Sequence, residues 1–85
     1  MTQILVHYRI ADYAQFKAAF DADAEDRGNA GLTVLQLWRE GANSVWALFT
    51  TGNAGASRDY LTGAGKVFES QAGVSGTEVH LLETA

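Results

Sequence analysis

His7 and His80 are the only imidazoles in an 85-residue chain, and both fall in stretches of alternating apolar character. An imidazole exchanges a proton near neutral pH, so a pair of them would serve as acid and base or would ligate a metal. Catalytic zinc takes three protein ligands. With no cysteine in the chain and no third histidine, the pair makes a poor zinc site, and no metal site is predicted. Hydrogen bonds inside a subunit interface would account for the same two residues, and both readings stay open. An aromatic set accompanies them: Tyr8, Tyr13, Trp38, Trp46 and Tyr60. Aromatic walls with a few polar tips suit a pocket for a flat hydrophobic molecule, although core burial uses the same residues. The candidate catalytic residues are therefore His7 and His80, and the candidate ligand-binding residues are Tyr8, Tyr60, Trp38 and Trp46. Tyr8 and Tyr60 are expected to face the space between sheet and helices.

Other patterns carry less. Asp21-Ala22-Asp23-Ala24-Glu25-Asp26 alternates acids as a calcium loop does. Asp26 occupies the position that needs glycine, and Leu32 the position that needs the last acid. A solvated helix face is the expectation there. Gly63-Ala64-Gly65-Lys66 resembles a phosphate loop, but Tyr60 and Val67 break the pattern. Phe68 likewise breaks the dinucleotide fingerprint. No Gly-x-Ser-x-Gly elbow is present to support a serine hydrolase.

These side chains need elements to hold them. Residues 3–10 alternate with period two and predict a strand. Asp12 then stands as an N-cap before Tyr13, Phe16, Phe20 and Ala24 at helical spacing, giving a helix to about residue 28 that Gly28 and Gly31 stop. Thr33–Arg39 and Ser44–Thr51 read as two strands joined by the hairpin loop Glu40-Gly41-Ala42-Asn43. Ala54–Leu61 and Ala64–Ala72 read as two short helical pieces, Gly73-Val74-Ser75-Gly76 as a turn, and Glu78–Leu82 as the last strand.

The order β-α-β-β-α-β predicts an α+β, ferredoxin-like fold over residues 1–85: one domain, a four-stranded antiparallel sheet with both helices on one face. In that order the first and last strands are neighbours, which places His7 and His80 on one face. That face also collects Leu5, Leu35, Leu37, Trp46, Leu48 and Leu82. An apolar patch of this kind exceeds what a soluble monomer exposes, so a homodimer through the sheet face is expected.

Composition agrees. Hydrophobic residues make up 47% of the chain but fourteen of them are alanine, a thin core for a domain of this length. Six basic and ten acidic side chains leave a net charge of −4, which argues against nucleic acid and anionic membrane as partners. The RNA-binding relative of this topology would carry a basic, aromatic motif on its third strand. Ser44–Thr51 holds neither Lys nor Arg. Without cysteine there is no disulfide frame and no thiolate nucleophile. The chain enters its first strand at once, and no apolar run approaches a membrane span, so a cytoplasmic location is expected.

Ile10-Ala11-Asp12-Tyr13-Ala14-Gln15-Phe16-Lys17, continuing to Phe20-Asp21, resembles the start of helix one in the dimeric α/β-barrel superfamily that includes the antibiotic-biosynthesis monooxygenases. Ala72-Gly73-Val74-Ser75-Gly76 resembles its C-terminal turn. The resemblance covers roughly residues 3–83 and implies two ferredoxin-like subunits packed sheet to sheet. Relatives include cofactor-free oxygenases, haem-degrading enzymes and isomerases. The Asn, Trp and basic residue that oxygenase members use match no position in this chain, so none is carried over. Two functional readings follow. One is a cofactor-independent, monooxygenase-like enzyme acting on a hydrophobic aromatic or polyketide-like molecule, oriented by Tyr8 and Tyr60 with a histidine as proton acceptor. The other is a non-catalytic dimeric module that binds a small apolar ligand or serves as a stress-related accessory protein. Neither implies a cofactor. The free volume between sheet and helices discriminates between them.

Overall fold

A computed structural model of the chain describes residues 2–64 and 66–85. The strands are β1 (Thr2–Ile10), β2 (Leu32–Glu40), β3 (Ser44–Thr51) and β4 (Val74–Glu83). Between them lie α1 (Tyr13–Ala22), α2 (Ala24–Asn29), α3 (Ala54–Asp59), a π-helical segment (Tyr60–Ala64) and α4 (Lys66–Ala72). All strand pairs are antiparallel in the order β2-β3-β1-β4, the ferredoxin-like βαββαβ arrangement.

The helices cover the face that carries Ile4, Val6, Tyr8, Ile10, Val45, Ala47 and Phe49, all buried. Phe16 and Phe20 from α1 and Phe68 from α4 close that layer with tilted and edge-on ring contacts. Each large ring between sheet and helices removes more apolar area from water than an aliphatic side chain does, which matters in so small a domain.

Local chemistry sets the element ends. Asp12 accepts a hydrogen bond from the Gln15 N–H at 3.0 Å and caps α1. Asn53 does the same for α3 through the Ala56 N–H at 3.1 Å. Gly41 opens the three-residue β2–β3 loop with φ +63°, a left-handed conformation that glycine adopts without strain. Asn43 ends that loop and ties it to β1: its side-chain amide donates to the Ile10 carbonyl, and its own carbonyl accepts from the Ile10 N–H, both at 2.9 Å.

The structure departs from the expected elements at four places. The first helix does not run through to residue 28; it breaks at Asp23 (φ −86°, ψ 1°) into α1 and α2. The residues after α3 wind as a π-helix. Gly73 alone makes the last turn, since Val74 already pairs with Ile10 in β4. In β2, Val34 pairs with Phe49 and Gln36 with Leu48, leaving Leu35 as a bulge. The extra residue inverts the alternation beyond it. Leu37 therefore lies opposite Ala47 against the core and not on the open face, while Trp38 moves to the open face opposite Trp46. No helix among the described residues is long and apolar enough to cross a membrane.

Candidate functional site

The break at Asp23 decides the site. Asp23 stands where it could cap α2, yet its side chain makes no capping bond. It turns inward, accepts a hydrogen bond from the Tyr60 hydroxyl, and lies 3.7 Å from the Arg27 guanidinium. Arg27, one turn further along, is only 9% exposed. Its guanidinium donates to the Phe20 carbonyl and lies over the Phe20 ring, 3.8 Å from the centroid. A buried arginine is tolerated when a carboxylate, a carbonyl and an aromatic face share its charge, and all three are present.

Tyr8 and Thr77 are paired across β1 and β4 and form the floor beside this cluster. Thr77 donates to the Glu69 carboxylate from α4 at 2.8 Å, which fixes a second acid at the rim. Phe20, Leu61 and Phe68 supply the apolar walls. Six stretches of chain thus converge on one corner between sheet and helices. Burial raises the Tyr8 phenol above its ordinary pKa, and the nearby Asp23 and Glu69 charges add to this against the opposing effect of Arg27. Burial also raises the Tyr60 phenol, helped by the hydrogen bond it donates to Asp23. Both phenols keep their protons at neutral pH; Tyr60 donates to the Asp23 carboxylate, and the Glu69 carboxylate accepts from Thr77. Arg27 counterbalances one of those two charges. Chemically, the corner offers an aromatic, largely apolar enclosure with one end able to accept or return a proton.

Its free space is small. The partly open void between these residues is ≈ 10 Å³, room for about one water. Outside it, between α2 and α4, an open cleft of ≈ 500 Å³ is lined by Asp26, Asn29, Val67 and Gln71, with Asp23, Tyr60 and Phe68 shared between cleft and void.

The sequence-derived candidates divide into two groups. Tyr8 and Tyr60 meet at the corner. His7, His80, Trp38 and Trp46 lie on the other face of the sheet. His7 stacks on Trp46 with ring centroids 4.1 Å apart, and its Nε2 is buried with no hydrogen-bond partner among the described residues. The Trp46 indole N–H donates to Glu40 at 2.8 Å. His80 lies opposite Leu5 and pairs at 3.7 Å with Glu78, which itself faces His7 and pairs with Arg9 at 3.6 Å. The sheet therefore separates both imidazoles from both of these phenols. Tyr13 is elsewhere again, under the Arg39 guanidinium. Among the described residues no group of three or more His, Asp or Glu is placed to hold a metal ion.

Asp23, expected on a solvated helix face, is instead half-buried, and Arg27, Glu69 and Thr77 were not singled out from the sequence. The helical spacing 16-20-23-27 carried a signal, a buried stripe that ends in an opposite-charge pair four residues apart. Choosing Ala24 as the next stripe member concealed it; Ala24 is exposed.

No protein-family model matches the chain, and no curated protein sequence matches it. Solved structures do. An uncharacterised NIPSNAP domain protein from Burkholderia xenovorans superposes with a TM-score of 0.70 at 15% identity, over 100% of this chain and 95% of that one. SnoaB, a cofactor-independent oxygenase from Streptomyces nogalater, gives 0.69 at 21% identity, over 99% and 91%. A dimeric ferredoxin-like protein from an uncultured marine organism gives 0.52 at 9%, over 99% and 89%. At these identities the likeness shows the fold, and it is consistent with the superfamily that the helix-one and C-terminal segments resemble.

Proposed function

We propose that this chain forms a homodimer through the open sheet face and binds a small, flat, mostly apolar molecule at the Tyr8–Tyr60–Arg27 corner, acting in the cytoplasm. The observation that carries the binding site is the convergence there of two protonated phenols and two fixed carboxylates on an aromatic enclosure. Such a mixture, mostly apolar with a few aimed polar groups, is how small-molecule sites are built. A hydroxyl or enol on the ligand would donate to Asp23 or Glu69 and accept from the Tyr8 phenol.

Dimerisation is supported by the residues that the sheet leaves uncovered. Leu35 is 49%, Trp38 44% and Leu82 45% exposed, and Leu5, Trp46 and Leu48 are only half-buried in the single chain. A second copy laid on this face would cover them, and would surround the unpartnered His7 Nε2 with groups able to bond it. The dimeric ferredoxin-like neighbour supports the same reading.

The likeness to SnoaB favours an enzymatic form of the proposal, cofactor-independent oxygenation of an aromatic or polyketide-like molecule. Such chemistry needs a base, and at this corner the base is a carboxylate of Asp23 or Glu69 and not an imidazole. The water-sized void favours the non-catalytic binding module as the second reading.

Thermal unfolding with 1-naphthol tests the site. At a hundred times Kd the ligand stabilises the folded chain by about 2.7 kcal/mol, a rise in Tm of several degrees. Glu69→Gln or Tyr8→Phe is expected to reduce that rise, and His7→Ala to leave it intact. A Tm that flat aromatic phenols do not move would sink the proposal.

A further inference from the structure

We infer that the Tyr60–Asp23 hydrogen bond is a latch that separates the inner void from the outer cleft, so that a ligand must break it to bind. The inference rests on the binding role proposed for this corner and adds how the corner opens. Its basis is geometric. Asp23, Tyr60 and Phe68 line both spaces, and they are what divides room for one water from a cleft of ≈ 500 Å³. No flat ligand of several rings fits the void as it stands. Binding therefore requires this partition to move.

The two halves of the latch are held unequally. Asp23 is fixed on its side by Arg27, which is itself tied to the Phe20 carbonyl and stacked on the Phe20 ring. Tyr60 instead begins the π-helical segment Tyr60–Ala64, whose i→i+5 winding interrupts the α-helical ladder between α3 and α4. A short π segment regains ordinary α winding by a one-residue shift, which rotates the side chains it carries, Tyr60 among them. The half that moves is thus Tyr60, and Asp23 is the fixed catch. A hydrogen bond to a charged acceptor shifts a two-state equilibrium by about tenfold or more. With the open state the binding-competent one, ligand affinity falls by the same factor.

Tyr60→Phe keeps the ring and removes the bond, and two measurements on the full-length variant decide the matter. Hydrogen exchange is expected to quicken about tenfold at the amides of Tyr60–Ala64 and Lys66–Ala72, with β1 and β3 unchanged. Equal rates in variant and wild type would overturn the latch. So would an acceleration spread evenly over the sheet, because the bond would then serve only the fold as a whole. In parallel, the variant is expected to bind 1-naphthol about tenfold more tightly than wild type, and equal affinities would overturn the latch while leaving the site in place. If neither protein binds while exchange still quickens locally, the latch stands and the binding role at this corner falls.

Discussion

Asp23 has two competing uses, and the one it takes shapes the corner. As the first residue before α2 it could cap the helix with its carboxylate, a contribution of about 1 kcal/mol. It pairs instead with Arg27 and Tyr60. Removing Arg27 would strand the Asp23 carboxylate in a half-buried place, whereas removing the Tyr60 hydroxyl leaves Asp23 paired with Arg27. The two phenols give a pH prediction at this scale. Tyr8 and Tyr60 have folded-state pKa values raised above the unfolded value near 10, so the folded chain holds their protons more tightly. Between pH 10 and the folded pKa the native state binds more protons than the unfolded one, and stability falls as pH rises. Their contribution is whole below pH 10 and is lost above it. Urea midpoints measured from pH 9 to pH 11 should fall, and Tyr8→Phe/Tyr60→Phe should flatten the decline. An equal slope in the double variant would assign the alkaline loss to other groups.

At the scale of elements, the helix ends and the bulge decide what faces where. Gly73 closes α4 with φ +69°, and a Cβ there would come within 3.0 Å of the Gln15 side-chain oxygen. That same Gln15 donates to the Gln71 carbonyl at 3.0 Å and joins α1 to the end of α4. Gly73→Ala therefore meets both a left-handed backbone and an occupied space, and we expect a loss of about 1–2 kcal/mol by chemical denaturation. A change within a few tenths of a kcal/mol would show that Gln15 gives way freely. Composition and period found all four strands because strands read one residue at a time, in alternation, although β4 begins at Val74 and not at Glu78. They misplaced Leu37 because a bulge adds one residue without any local signal in Val34-Leu35-Gln36. The broken first helix was equally hidden. Asp and Ala alternate through residues 21–24, and no Pro or Gly marks the joint.

On the scale of the whole molecule, one helical layer covers one face of the sheet and leaves the other apolar. Leu48 lies at the middle of that open face, between Leu5 and Gln36. Leu48→Lys places a charge where the homodimer would bury a leucine. Light scattering is expected to give a dimer for the wild type and a monomer, or a much weaker dimer, for the variant. A wild type that stays monomeric at tens of micromolar would refute the sheet-face dimer. The same covering would bury Trp38 and Trp46, so their fluorescence should shift to shorter wavelength as wild-type concentration rises.

The element order, the antiparallel sheet, the two apolar faces and the placement of Tyr8 and Tyr60 between sheet and helices were all legible from the residues alone. Each follows from periodicity, which is a local property of the chain. The division of the candidate site was legible in part, since His7 and Tyr8 are adjacent in a strand and must point to opposite faces. Only the tertiary structure brought Asp23, Arg27, Glu69 and Thr77 to the corner. The Asp23–Arg27 spacing is local, but no short pattern encodes their meeting with Tyr60, 37 residues from Asp23, or with Tyr8 and Thr77 across the sheet. The size of the void belongs to the same class. It is set by how far Phe16, Phe20 and Phe68 reach between sheet and helices, a matter of close contact among distant residues rather than of their order.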